Sequence, residues 1–145
     1  MLKVPGLHIG AFPWFHGQAR PKKTAFIFKD RQVSWAEVDA RASQVHDALV
    51  KAGLKKGDKV GLLALNSIET LEIMYGVIRA GGVLVSLSAL QTPNLIAALL
   101  KDSGAKFLFV VSPLEILAAP LAGLMGGIQA QNRIGVGFEA NGWQA

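Results

Sequence analysis

The feature that most constrains this chain is a series of short, continuous apolar runs at nearly even spacing. The runs occupy residues 60–65, 83–87 and 107–111, and a weaker one lies at 134–138. Strands that are buried on both faces read this way, without alternation of apolar and polar residues. A segment of helical pattern separates each pair of runs, and such alternation favours a parallel sheet with right-handed crossovers.

A β-hairpin and a long helix are predicted before the first run. Residues 24–29 alternate as a strand does, Asp30 and Arg31 form a turn, and residues 32–33 return as a short strand. Ser34 and Glu37 have the spacing of a capping box, and Gly53 suits the end of the helix. The apolar residues of this helix recur at helical intervals and predict one buried stripe, which consists of Trp35, Val38, Ala42, Val45 and Leu49.

Three further helices are indicated by their start signals. Asn66 or Ser67 can cap a helix that stops at Gly81-Gly82. Thr92 followed by Pro93 predicts a helix that ends near residues 103–104, because proline suits the first helical position. The same pattern recurs in the segment 112–115, where it predicts another short helix.

The predicted fold class is therefore α/β, with a β-hairpin followed by alternating β-α units that form a mostly parallel sheet. Residues 1–23, with three prolines, are expected to be an irregular tether, and residues 24–145 to be the folded part. Half of the residues are apolar (51%) and only 17% are charged, which excludes intrinsic disorder.

Charge and cysteine content exclude several classes of function. The net charge is +5, and residues 1–59 hold 11 of the 15 basic and 5 of the 10 acidic residues. The lysines are scattered among acids at predicted turns, so a solvated surface is favoured over a nucleic-acid patch. The absence of cysteine excludes disulfides and thiolate metal sites within these residues. With no evident signal peptide or membrane span, we expect a cytoplasmic protein.

The chain offers no complete catalytic motif. The glycines and lysines of 53–59 lie between a helix and a strand, where a phosphate loop would need a following helix, and 135–142 departs from GxGxxG. The histidines His8, His16 and His46 have no metal-ligand spacing, and His46 and Asp47, as neighbours on a helix, are not expected to face each other. The acids most open to a catalytic interpretation are expected to be turn, cap or surface residues: Asp30, Asp58, Glu69 and Glu72. The tryptophans are expected to be packing groups: Trp14, Trp35 and Trp143.

Two stretches resemble a known family. Residues 33–38 (VSWAEV) are similar to the first core motif of adenylate-forming enzymes, and residues 78–88 (IRAGGVLVSLS) resemble the second. Residues 52–61 are similar to the helix–turn–strand between these motifs. The resemblance covers about residues 20–112, and it indicates the N-terminal portion of an AMP-forming acyl-CoA ligase.

The resemblance implies a specific parent reaction. Family members activate a carboxylate with Mg-ATP to an acyl-adenylate and pass the acyl group to a thiol, often coenzyme A. Their phosphate loop, adenine pocket, ribose-binding aspartate and catalytic lysine would all lie beyond residue 145. No catalytic, cofactor-binding or metal residue is therefore assigned here, and ATP, magnesium and coenzyme A are implied only for the full-length enzyme.

Two functions remain open at this stage. We expect an N-terminal fragment of an ATP-dependent, AMP-forming acid–CoA ligase for a fatty or aromatic acid, inactive alone. Its partner would be the remainder of the ligase domain, or a second copy, at an exposed apolar face. The alternative is a non-catalytic, stand-alone interaction module or pseudoenzyme with the same scaffold.

Overall fold

The computed structural model describes residues 8–125 and 127–145, which form two compact units. Unit 1 holds the described residues up to Lys56 together with Ser67–Gly81. Unit 2 holds Gly57–Asn66 together with the described part of Gly82–Ala145.

Unit 1 combines a hairpin with helices. Its elements are a 3-10 turn (Ile9–Ala11), α1 (Phe12–Ala19), β1 (Thr24–Phe28), β2 (Arg31–Ser34), α2 (Trp35–Lys51) and α3 (Ile68–Arg79). Strands β1 and β2 are antiparallel, with Phe28 opposite Arg31, so the predicted hairpin is confirmed. Lys29, in the turn, has a positive φ of 54°.

Helix α2 begins at the predicted capping box. The Glu37 backbone N–H donates to Ser34 Oγ at 3.3 Å, and the Ser34 backbone N–H donates to the Glu37 carboxylate at 2.7 Å. Of the predicted stripe, Val38, Ala42 and Leu49 are buried, and the other two members are half-buried. The stripe therefore faces inward as the 3.6-residue period requires.

The N-terminal segment is more regular than the sequence indicated. Residues 1–23 were expected to be irregular, but α1 occupies Phe12–Ala19. Pro13 stands in its first turn, where a missing N–H costs no hydrogen bond. The prolines that suggested a loop thus permit a helix between them. Residues 1–7 lie outside the described part of the chain, and the boundary at residue 23 stays a prediction.

Unit 2 is a parallel sheet with two helices. Its elements are β3 (Lys59–Leu63), β4 (Val83–Leu87), α4 (Pro93–Ser103), β5 (Ala105–Val111), α5 (Ala118–Leu124) and β6 (Arg133–Val136). The strand order is β4-β3-β5-β6, and every pair is parallel, as predicted. Residues 60–63 of β3 are all buried, which explains the continuous apolar run. Strand β6 ends before residue 138 because Gly137 turns the chain at φ 84°.

All three further helices are present, but the third begins later than its start signal indicated. The Thr70 N–H donates to Ser67 Oγ at 3.2 Å, and the Leu95 N–H donates to Thr92 Oγ1 at 3.4 Å. The segment 112–115 does not start a helix at its proline. The Leu114 N–H instead donates to the Val111 carbonyl at 3.1 Å, which closes a turn. A 3-10 turn (Glu115–Leu117) then leads into α5.

Candidate functional site

The carboxyl edge of the parallel sheet is the natural place for a ligand in a fold of this kind. Ligands of open α/β sheets bind beyond the strand ends where the strand order reverses. In unit 2 the chain passes from β3 to β4 on one side and returns to β5 on the other. The reversal therefore lies between β3 and β5, next to Asn66 and Ser112, both of which are exposed.

Gln91 adds an unsatisfied group to the loops at this edge. It follows β4, and its backbone N–H donates to the Ser88 carbonyl at 3.3 Å. Its side-chain Oε1 is buried and has no hydrogen-bond partner in the described part of the chain. The amides and hydroxyls of Asn66, Ser88, Gln91 and Ser112 can bind a ligand by hydrogen bonds but do not titrate near neutral pH. This edge can therefore hold a ligand without supplying acid–base chemistry through these four groups.

The acids of unit 1 form a charged cluster with nearby arginines. Arg31 on β2 forms an ion pair with Glu69 on α3. One turn further along α3, Glu72 is only 7% exposed, although the sequence indicated a surface, turn or cap residue. Glu72 is buried because it lies four residues from Ile68 and four from Gly76, on the buried face of the helix.

The environment shifts the pKa values of the carboxyl groups in this part of unit 1 in opposite directions. Burial raises the pKa of Glu72, and repulsion from Glu69 adds to the shift, while Arg41 and Arg31 oppose it. Burial would also raise the pKa of Glu69, but its own backbone N–H and the Arg31 ion pair lower it overall. The backbone N–H and the hydroxyl of Ser34 lower the pKa of Glu37. The cluster thus contains one carboxyl with a raised pKa beside two with lowered pKa values.

Arg79 fixes the N-terminal segment to unit 1. Its Nε donates to the Gly10 carbonyl at 3.0 Å, its Nη1 donates to Ser43 Oγ at 2.7 Å, and its Nη2 contacts Asp39 Oδ1 at 2.8 Å. A Cβ at Gly10 would lie 2.6 Å from the Arg79 backbone nitrogen. These contacts satisfy the guanidinium inside the protein, so the role of Arg79 is structural.

The histidines do not converge on a site. His16 packs on Trp35, with ring centroids 4.4 Å apart, and its Nδ1 is 3.1 Å from Arg20 Nη2. The expectation that His46 and Asp47 do not face each other is wrong, because His46 Nδ1 lies 2.8 Å from Asp47 Oδ1. Nδ1 is the ring nitrogen nearer the backbone, so it can reach the short side chain of its neighbour. Within 8–125 and 127–145, no three His, Asp or Glu side chains are grouped so as to hold a metal ion.

The remaining candidate residues have packing or turn roles. The Trp143 indole donates to the Ala118 carbonyl at 3.2 Å inside the unit 2 core. Trp35 packs against Phe26, with ring centroids 5.6 Å apart. Lys106 Nζ lies 2.7 Å from Asp58 Oδ1, which makes Asp58 a structural ion-pair partner.

Sequence reasoning missed the burial of Glu72, the Arg79 contacts and the unsatisfied Gln91. A signal existed for Glu72, because its spacing from Ile68 and Gly76 sets it on an apolar helix face. None existed for Arg79, whose partners are up to 69 positions away in the sequence.

Comparison with known proteins identifies the scaffold. Residues 14–136 match the family model described as AMP-binding enzyme. The chain belongs to this family. The resemblance of the two core motifs to adenylate-forming enzymes is therefore confirmed, and so is the fold that it implied.

Individual relatives are ligases of acids to thiols. The fatty acid–[acyl-carrier-protein] ligase ScoC of Streptomyces coeruleorubidus is 28% identical over 131 residues, which is 90% of this chain and 24% of ScoC. The long-chain-fatty-acid–CoA ligase FadD13 of Mycobacterium tuberculosis is 32% identical over 113 residues, which is 77% of this chain and 21% of FadD13.

A solved structure agrees over the whole chain. The anthranilate CoA ligase AuaEII, in complex with anthranoyl-AMP, superposes with a TM-score of 0.84 and 25% identity, covering 99% of this chain and 28% of AuaEII. The chain thus spans between about a fifth and three tenths of the length of these three proteins. No helix in the described part of the chain is long and apolar enough to cross a bilayer.

Proposed function

We propose that this chain is the N-terminal part of an ATP-dependent, AMP-forming acid–thiol ligase and that it is inactive alone. The observation that carries the proposal is the match of residues 14–136 to the AMP-binding enzyme family, in a chain whose hairpin and parallel sheet agree with AuaEII. The parent enzyme would convert a fatty or aromatic carboxylate to an acyl-adenylate and then to a thioester. Coenzyme A is the proposed acceptor.

The proposed cosubstrates are ATP, magnesium and coenzyme A, bound by the parts of the ligase that follow this segment. The sheet edge at Asn66 and Gln91 would contribute at most hydrogen bonds to a ligand. A cytoplasmic location is proposed with it, because ATP and coenzyme A are available there. The role of residues 8–145 would then be to hold the scaffold in shape.

Exposed apolar side chains on unit 2 fit the docking of further ligase segments. Ile96 and Leu100 of α4 are buried, but Leu95 is 46% exposed and Leu99 is 36% exposed, one helical turn apart. Val83 on the edge strand β4 is 48% exposed, and β4 pairs only with β3 among the described strands. We propose that the remainder of the ligase domain covers these three side chains.

Helix α2, which is buried on one side and exposed on the other, serves as a comparison for α4. Five of its nine exposed residues are polar or charged, three are alanines and only Val50, near its end, is a large apolar residue. The outward leucines of α4 therefore depart from this pattern, and adjacent exposed apolar side chains mark interaction surfaces. We propose a ligase segment as the partner on this surface because the relatives ScoC and FadD13 are several times longer than this chain.

Two assays test the proposal. The chain alone is incubated with ATP, magnesium and long-chain, benzoic or anthranilic acids, and acid-dependent ATP–pyrophosphate exchange is measured; no exchange above background is expected. Residues 14–136 are also exchanged into FadD13 in place of the matched segment, and a chimera that keeps fatty-acid activation supports the proposal.

The alternative function gives different results. A folded chimera without activity, beside an active FadD13 control, would indicate that this scaffold has lost compatibility with catalysis. Acid-dependent exchange by the chain alone would refute its inactivity. Changing Leu95 and Leu99 to glutamate should weaken the chimera and leave the fold of the isolated chain intact. Equal effects in both backgrounds would show that no ligase segment covers the leucines.

A further inference from the structure

The outer edge of β4 is an open strand edge without protection. Among the described strands, β4 pairs only with β3, in parallel and without a register shift. It contains no charged residue and no proline, and both Val83 and Ser86 are exposed. An exposed, apolar edge of this kind is a template for pairing with a further strand.

The outer edges of the other described strands carry some protection. In the hairpin, β1 is irregular near its start and lies between Lys23 and Lys29, and β2 begins with an arginine. The outer edge of β6 is covered by the C-terminal segment. There the Gly135 N–H donates to the Gln144 carbonyl and the Gln144 N–H donates to the Arg133 carbonyl, both at 2.7 Å. Irregularities, charges and covering segments are the means by which proteins protect strand edges, and β4 has none of them.

The free backbone groups of β4 belong to Leu84 and Ser86. The Val83 N–H donates to the Asp58 carbonyl at 2.8 Å, where β3 begins. Successive residues of a strand direct their N–H and C=O groups to opposite sides, so every second residue from Val83 onward binds β3. Leu84 and Ser86 therefore direct a donor and an acceptor each away from the sheet.

An apolar surface adjoins this edge on the side of α4. Val83 is 48% exposed and lies on the same face of β4 as Val85 and Leu87, which contact the core cluster that includes α4. One flank of α4 faces the segment after α5, the helix that leads from β5 to β6. Leu95 and Leu99 lie on the opposite flank, and hence on the β4 side of the helix.

We propose that the 145-residue chain forms a dimer in which the β4 strands of two copies pair in antiparallel orientation. A two-fold axis at Val85 places Leu84 of one copy opposite Ser86 of the other. Two such pairs exchange four backbone hydrogen bonds, and the two four-stranded sheets become one. Val83 of each copy then lies opposite Leu87 of the other.

A second copy fits this edge because β4 is complementary to itself. Its free donors and acceptors are symmetric about its central residue, and the strand has no charge to repel its own copy. The two-fold contact uses the open β4 edge of both copies, so association ends at the dimer. The surface is the one proposed for further ligase segments, so a second copy and a ligase segment exclude each other.

Sedimentation equilibrium of the 145-residue chain tests the proposal directly. From about 2 to about 200 µM the chain should show a reversible monomer–dimer equilibrium, because mass action shifts it toward the dimer. The interface is small, so we expect a Kd in the micromolar range. Amide hydrogen exchange of Leu84 and Ser86 should slow at high concentration, and exchange of Val85, whose N–H binds β3, should change less.

Matched variants locate the interface on β4. Ser86→Pro removes an N–H that does not bind β3, as edge strands tolerate, and the loss of two of the four hydrogen bonds should weaken the dimer about tenfold or more. Val83→Lys places a charge at the edge and should also weaken the dimer. Ile27→Lys adds the same charge at an exposed position of β1 and should leave the Kd unchanged. Circular dichroism at low concentration should show the same folded monomer for all three variants.

Three outcomes would overturn the proposal. The first is a chain that stays monomeric at about 200 µM. The second is a dimer that neither Ser86→Pro nor Val83→Lys weakens, and the third is growth into larger oligomers, which a closed two-fold contact does not produce. The ligase assays are made on the FadD13 chimera and measure acid activation, so either proposal can fail without the other.

Discussion

Replacing Gly76 by alanine gives a sharp test of the packing in unit 1, because two physical effects predict opposite signs. Gly76 lies within α3, where alanine is favoured over glycine by about 1 kcal/mol. A Cβ built at this position would lie 2.4 Å from Val45 Cβ, 2.6 Å from Val45 Cγ1 and 2.9 Å from the Ala42 carbonyl oxygen. None of these contacts is a flexible side-chain end that could rotate away.

The steric effect should exceed the propensity effect. Ordinary carbon contacts begin near 3.4 Å, so α2 and α3 would have to separate locally by about 1 Å in a close-packed interior. Overpacking of this kind costs typically 1–3 kcal/mol and occasionally more. Because the overlap with Val45 Cβ is severe, the steric cost should lie in the upper part of this range, at about 2–3 kcal/mol. We therefore expect Gly76→Ala to lower the free energy of unfolding by about 1–2 kcal/mol after the helical gain of about 1 kcal/mol is subtracted.

Urea denaturation followed by circular dichroism measures this change, with Gly123→Ala as the matched control. Gly123 lies in α5, and a Cβ there would have no atom within 4 Å, so alanine should be neutral or stabilising. A double-mutant cycle with Val45→Gly, which removes the closest atoms, should recover at least half of the Gly76→Ala loss. If Gly76→Ala is as stable as the parent chain or more so, α2 and α3 do not approach closely at Gly76 and the reasoning fails.

Three further substitutions test the described contacts. Arg79→Met should lower the free energy of unfolding by about 2–4 kcal/mol, because it leaves a part-buried Asp39 without its cation and removes the hydrogen bond to Gly10. The rate of amide hydrogen exchange should rise first in α1. Unchanged exchange in α1 would contradict the anchoring role of Arg79. Ser34→Ala should cost about 1 kcal/mol by loss of the helix cap, as measured by thermal denaturation, and a neutral result would show that the capping box adds nothing. Glu72→Gln should flatten the pH dependence of stability: the folded-state pKa of Glu72 is raised, so its contribution is most favourable below the unfolded pKa and is lost as pH rises through the folded value. The free energy of unfolding of Glu72→Gln, relative to that of the parent chain, should therefore rise from pH 4 to pH 8. A constant difference between the two free energies would refute the assignment of this pKa shift.

Local signals were sufficient for most of the secondary structure. The capping box at Ser34, the cap at Thr92 and the buried run of β3 each depend on residues within a few positions of one another. The parallel arrangement of the strands followed from the alternation of buried strands and helices, because a crossover helix between two buried strands leaves few other topologies. Prolines were the ambiguous signals: α1 forms around Pro13 where an irregular segment was expected, and the helix expected at Pro113 begins only at residues 115–118.

Side-chain sites could not be predicted in the same way. Arg133 of β6, for example, donates hydrogen bonds to the Met125 and Ile128 carbonyls, and no periodicity in this segment predicts them. The Arg79 contacts likewise join residues 10, 39 and 43 across long sequence separations. Tertiary contacts of this type depend on the packing of the whole protein, and they produce no periodic pattern in the sequence from which they could be predicted.

Some of the apolar residues, which make up 51% of the chain, lie at the surface. A self-contained domain of this length would direct most of its large apolar side chains inward, as α2 does with the exception of Val50. Helix α4 directs Ile96 into the core, but its exposed residues include Leu95 and Leu99 beside the polar Asn94, Lys101 and Asp102. Exposed leucines one helical turn apart are typical of interaction surfaces. They therefore agree with the proposal that the remainder of a ligase domain covers this side of α4.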